Sequence, residues 1–220
     1  MSATARLAVV GGNATRGIDL GGGRWAALDR HDDGAGGYTL PHLIDHAANL
    51  RRLQDAGCER VLAIASVGGL QPQYGPGTFL CPDDFISLDA VVTSLSGPEA
   101  HMVAGFDPEW RAGLVEAWAD LAGPPLVDGG VYWQANGPRL ETRAEVARIA
   151  RDADVVGMTV ASECVTAAEL GLAYAAVCVV VNYANGVDDT DLTLEEVERG
   201  QRETRDALSE ALGALLPAVA

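Results

Sequence analysis

The sequence contains no lysine: its 15 basic residues are all arginine, set against 31 Asp and Glu, for a net charge of −16. That absence removes chemistry built on a lysine amine, Schiff-base formation and the phosphate cradle of a P-loop alike. The acidic balance also excludes nucleic acid as a partner, because a phosphate backbone demands basic surface. Cysteine is scarce. Cys58, Cys81, Cys164 and Cys178 lie far apart with no CxxC pair, so neither a metal site nor a disulfide framework is expected, and the thiols read as reduced core atoms. No apolar run approaches the roughly 18 residues of a membrane span. The N-terminal MSATARLAVVGG lacks a charged segment followed by a long apolar one. A soluble, cytoplasmic protein with no membrane partner is expected.

What is present is an alternation of apolar strands and amphipathic helices. With 48% hydrophobic residues over 220 and no internal repeat, the chain suits a single domain with a sizeable core. Short apolar runs predict strands over 6–10, 24–28, 60–69, 131–134, 154–159 and 174–182, and helical spacing predicts helices over 41–57, 109–121, 142–152, 162–171 and 192–216. The stretch 78–88 reads as extended and proline-interrupted. Buried strands separated by helices imply an α/β fold, its central mixed, mostly parallel sheet covered on both faces.

In such a fold ligands gather where strands end. Four strand ends are polar or glycine-rich: GGNAT at 11–15, ASVGG at 65–69, GMTVASE at 157–163 and NYANG at 182–186. GGNATRG has neither dinucleotide nor P-loop spacing. It reads as a tight turn, or as a nest of backbone N–H groups for an anion, with Asn13 or Thr15 adding a side-chain donor. Arg30 and His31, after the second strand, offer two more donors to the same anion.

The most specific stretch runs from 130 to 186. GVYWQANGPRLETRAEVARI, then DADVVGMTVASECVTAAELGLAYAAVCVVVNYANG, resembles the trimeric purine nucleoside phosphorylases and 5'-methylthioadenosine phosphorylases, most closely the bacterial 5'-methylthioinosine phosphorylases. LAVVGG at 7–12 and LPHLIDHAANLRRLQDAGCERVLAIASVGGL at 40–70 fall in the right order upstream. The resemblance is thin over 13–38, where the chain is shortened, and over 90–128. It implies phosphorolysis of a 6-oxopurine nucleoside in a homotrimer, in purine salvage, with phosphate as co-substrate and no cofactor. Glu141 would accept the N1–H of the purine, and Asn182 would bond N7 and O6. Met158 would floor the ribose, Ser66, Val67 and Gly68 would line the nucleoside site, and His101 would reach the 5' end from a neighbouring subunit. Asn13, Arg30, His31 and Thr159 would hold phosphate.

Three departures bear on the phosphate end. Asn13 stands where the family presents Ser or Thr, Ala65 replaces a polar residue, and Asp32-Asp33 follow Arg30-His31. Two alternatives stay open: a nucleosidase using water, with His31, Asp32 or Asp45 as general base, or a specialised pathway enzyme on an unusual nucleoside, and, from a different class, a nucleoside-binding homologue without turnover.

Overall fold

The computed structural model describes residues 6–20, 23–89 and 92–220. Met1–Ala5 of the N-terminal stretch and Gly21–Gly22 of the 13–38 segment lie outside them. The first half runs β1 (Leu7–Gly11), β2 (Trp25–Asp29), α1 (His46–Asp55), β3 (Arg60–Gly69), β4 (Phe79–Cys81), β5 (Asp84–Ile86) and α2 (Pro108–Ala119). The second runs β6 (Leu126–Asp128), β7 (Val131–Gln134), α3 (Arg143–Ile149), β8 (Val155–Gly157), α4 (Val160–Glu169), β9 (Ala173–Tyr183) and α5 (Leu194–Val219).

These strands form one mixed, mostly parallel sheet, as the apolar runs predict. β9 alternates strictly, the period-2 signature of a strand buried on both faces. Tyr174, Ala176, Cys178 and Val180 pack toward α1 and α4, while Ala175, Val177, Val179 and Val181 pack toward α2 and α5. On α5, Leu208, Leu212 and Leu215 recur at three- and four-residue spacing, and all three are at most 1% exposed. Burying each such leucine contributes about 1.5–3 kcal/mol. All four cysteines are buried and unpaired, and no helix among the described residues is long and apolar enough to cross a membrane.

Some elements differ from the sequence expectation. The predicted helix over 41–57 splits into a 3-10 turn at Pro41–Leu43 and α1, which starts only at His46. Asp45 is the N-cap, its side chain accepting from the Ala48 N–H at 2.8 Å. β6 has no counterpart in the sequence reading: three residues after a Pro-Pro pair carry no usable periodicity. α3 ends at Ile149, three residues early, and α5 extends to Val219.

Two features of the sheet create the site. β3 pairs with β9 along its whole length, but its other edge is shared: β1 covers Arg60–Ala63 and β8 meets Gly68 and Gly69. Ile64–Val67 are left without a strand on that edge, so the sheet forks there. The second feature is a register shift between β3 and β9 at Val67/Gly68, which places Val181 as an extra residue and sets Asn182 opposite Gly68. Such bulges re-aim side chains, and here the re-aimed side chain is Asn182.

Candidate active site

The fork opens into a cleft of about 590 Å³. Ten of the eleven residues to which the family resemblance gives a role line it: Asn13, Arg30, His31, Ser66, Val67, Gly68, Glu141, Met158, Thr159 and Asn182. His101 does not. It is exposed, just after the 3-10 turn Pro98–Ala100, and outside the cleft wall.

The purine-end candidates are set by local rules. Gly137 adopts φ +66°, a left-handed conformation that glycine reaches at least cost, and a side chain there would run into the Met158 sulfur. The turn that follows delivers Glu141. Thr142 and Glu145 then form a capping box at the start of α3, and Arg139 pairs with Glu145, leaving the Glu141 carboxylate facing the cleft. Burial raises the Glu141 pKa above 4.5, only partly offset by its own backbone N–H. Asn182 donates through Nδ2 to the Tyr183 carbonyl at 2.7 Å, which fixes the amide plane, and a Cβ on Gly68 would sit 3.4 Å from that same nitrogen.

At the other end stands a buried ion pair. Arg30, 3% exposed, donates from Nε to Glu163 Oε1 at 2.5 Å and from Nη2 to Oε2 at 3.2 Å. It also donates to the carbonyls of Ile64 at 2.9 Å and Val10 at 3.1 Å, acceptors beside the fork that need a partner once buried. Of its five N–H groups, one on Nη1 remains, beside Gly12. Burial is the largest single influence and lowers the Arg30 pKa, but the charge and hydrogen bonds of Glu163, with Tyr174 and Tyr132, together raise it; Tyr174 Oη donates to Glu163 at 2.8 Å.

The expectation that Arg30 and His31 offer two open donors is therefore corrected. Arg30 spends all but one donor on the fold. His31 Nδ1 lies 2.8 Å from the Thr39 carbonyl, which can only accept, so Nδ1 carries the proton. Burial lowers the His31 pKa, and the neutral ring presents Nε2 as an acceptor. Its face stacks on Tyr38 at 4.6 Å and 17°.

Thr15 is no open donor either: its buried hydroxyl donates back to the Gly12 carbonyl. Asn13 donates from Nδ2 to Tyr38 Oη at 3.1 Å. The Thr159 and Val160 N–H groups are taken by Tyr132 Oη, and that of Ser162 by Gln134, so the N-terminus of α4 keeps few free donors for an anion. Asp32 and Asp33 are turned into their own loop, accepting from the N–H groups of Gly34 and of Ala35 and Gly37. Neither lines the cleft.

Two general-base candidates fall away on this geometry. Asp32 is occupied with its turn and Asp45 with its helix cap. Sequence reasoning also missed residues. Glu163 was visible only as an acidic residue in a motif, and its partnership with Arg30 spans 133 positions. His46 is 6% exposed, its Nδ1 unbonded and 3.9 Å from Glu163; burial lowers its pKa, so it sits neutral beside the pair. Tyr38 and the α5 residues Leu194, Val197, Glu198 and Gln201 also line the cleft without any motif to announce them, and so does Arg16, which lies in GGNATRG but is given no role there.

Comparison with known proteins gives a consistent picture. The family model described as the phosphorylase superfamily matches residues 34–217. A probable 6-oxopurine nucleoside phosphorylase of Archaeoglobus fulgidus is 40% identical over 193 residues, 87% of this chain and 76% of the relative. A probable S-methyl-5'-thioinosine phosphorylase of Xanthomonas campestris is 38% identical over 204 residues, 88% and 80% of the two chains. Among solved structures, a mutant adenosine/methylthioadenosine phosphorylase of Schistosoma mansoni superposes with a TM-score of 0.79 at 23% identity, covering 97% of this chain and 92% of the other.

Proposed function

Since the chain belongs to the phosphorylase superfamily, we propose that it is a purine nucleoside phosphorylase acting on a 6-oxopurine nucleoside. The observation that carries the substrate reading is the pairing of Glu141 and Asn182 in one cleft. A 6-oxopurine offers a donor at N1 and acceptors at O6 and N7, and a carboxylate beside an amide complements that edge.

In this reading a phosphate oxygen attacks the anomeric carbon while the bond to the purine nitrogen breaks. The electron pair of that bond leaves with the base, and negative charge develops toward N7. An Asn182 N–H aimed there stabilises the transition state more than the ground state. Met158 gives the ribose a polarizable apolar floor, Ser66, Val67 and Gly68 form the nucleoside wall, and Asn13, Thr159 and the last Arg30 N–H meet the phosphate. The neutral His31 Nε2 accepts the proton of a hydrogen phosphate. No cofactor is invoked.

With base and phosphate assigned to two ends, the α5 wall remains for the 5' side. Leu194 and Val197 make it partly apolar, which favours a methylthio group over a free hydroxyl. A cytoplasmic homotrimer serving purine salvage completes the proposal; for its self-association the exposed segment of His101, Met102 and Val103 outside the cleft offers a surface. The nucleosidase alternative is narrowed to His31 as general base, since Asp32 is engaged in its turn and Asp45 in a helix cap.

The test is release of free base from inosine, 5'-methylthioinosine, guanosine and adenosine, each with and without phosphate. Phosphate-dependent hypoxanthine release is expected. Release without phosphate would make the protein a hydrolase, and binding without release a non-catalytic homologue.

A further inference from the structure

The phosphate end has an electrostatic deficit. Arg30 and Glu163 form a buried pair with no net charge, His31 keeps its proton on Nδ1 against a carbonyl, and Arg139 at the far wall is paired with Glu145. A phosphate dianion entering a protein of net charge −16 would meet hydrogen-bond donors but little positive charge. One other cation lines the cleft, Arg16.

Arg16 follows the GGNAT turn directly and is exposed. Its guanidinium carbon lies over the Tyr38 ring, 5.3 Å from the centroid, and no carboxylate among the described residues comes within ion-pair distance of it. Tyr38 is itself anchored: it stacks on His31 and takes a hydrogen bond from Asn13. Guanidinium, phenol and imidazole thus form a contiguous cluster in the cleft lining. A cation over an aromatic face is held without being neutralised, unlike one paired to a carboxylate, and keeps its planar donors for an oxyanion.

We propose that Arg16, seated on Tyr38, is a phosphate-binding residue of this protein and supplies the net positive charge that the rest of the phosphate end lacks. This rests on the phosphorylase reading and adds a residue to it. In the segment after the glycine turn, Asn13 gives one amide N–H to Tyr38, and Arg16 adds the positive charge that this neutral amide lacks.

The experiment is steady-state kinetics of the full-length protein with inorganic phosphate and nucleoside varied separately, for wild type, Arg16→Ala and Arg16→Lys, with melting curves for each. Losing a charge-assisted contact should raise the phosphate KM about tenfold or more, leave the nucleoside KM in place, and flatten the dependence of the phosphate KM on ionic strength. Lysine should restore part of the loss. An unchanged phosphate KM in Arg16→Ala would overturn the proposal while wild-type phosphate dependence kept the phosphorylase reading standing. A lowered melting point with both KM values shifted equally would make Arg16 structural. Turnover in wild type without phosphate would remove the underlying reading, and this assignment with it.

Discussion

Arg139 donates to both carboxylate oxygens of Glu145, at 2.8 and 2.7 Å, and passes over Glu141, its nearer neighbour in sequence. In the GPRLET turn the arginine secures the helix cap, and the other carboxylate is left to the cleft. The division shows in the protonation of the two acids. The Arg139 hydrogen bonds, with the Thr142 N–H, hold Glu145 down to about 2, whereas burial raises Glu141.

Glu141 therefore gives a pH prediction. Its raised pKa means that the ionised form, the one able to accept a purine N–H, is lost as pH falls through a value above 4.5. The rate profile for inosine-type substrates should show an acid limb there. Glu141→Gln should abolish that limb and reduce kcat/KM for 6-oxopurines more than for 6-aminopurines. Equal losses on the two classes would contradict the assignment.

Asn182→Ala removes the donor to the departing base. kcat/KM should drop by about 100- to 1,000-fold, the usual cost of one preorganised transition-state donor, with an unchanged circular dichroism spectrum. A rate within error of wild type would take Asn182 out of the mechanism.

Glu163→Gln leaves the Arg30 charge buried without its counter-ion. One-sided removal from a buried pair costs about 3–5 kcal/mol, to be read as a shifted urea midpoint. Full stability in the variant would show that Arg30 is held by the Val10 and Ile64 carbonyls alone.

Gly200 lies where α5 crosses β9, and a Cβ there would sit 1.7 Å from the Val181 carbonyl oxygen. Gly200→Ala must push the helix off the strand beside Asn182. A loss of about 1–3 kcal/mol is expected from overpacking, with a fall in activity, both measurable by thermal melting and assay. An undisturbed melting point would show that α5 yields freely.

Much of the architecture was legible in the sequence because its strands are long or bounded. Arg60–Gly69 and Val131–Gln134 form over the ranges their apolar runs predict. β6 was hidden because three residues have no period, and the start of α1 was misplaced because Pro41 invites a helix that the Asp45 cap actually begins. At the site, Glu141, Met158, Thr159 and Asn182 were readable since each sits within a contiguous motif. Glu163, His46, Tyr38 and Arg16 were not, since each owes its position to a partner distant in the chain.

The sequence by itself determined the fold class, the family resemblance and the groups offered to a purine, because strand periodicity and turn chemistry are local properties. Tertiary structure decided which charges remain available. Arg30 spends itself on Glu163 and on carbonyls beside the fork of the sheet, Asp32 on its turn and Asp45 on a helix cap, and Arg16 keeps its charge over Tyr38. A residue's charge is written in its chemistry, but whether that charge is free depends on what packing places within 3 or 4 Å.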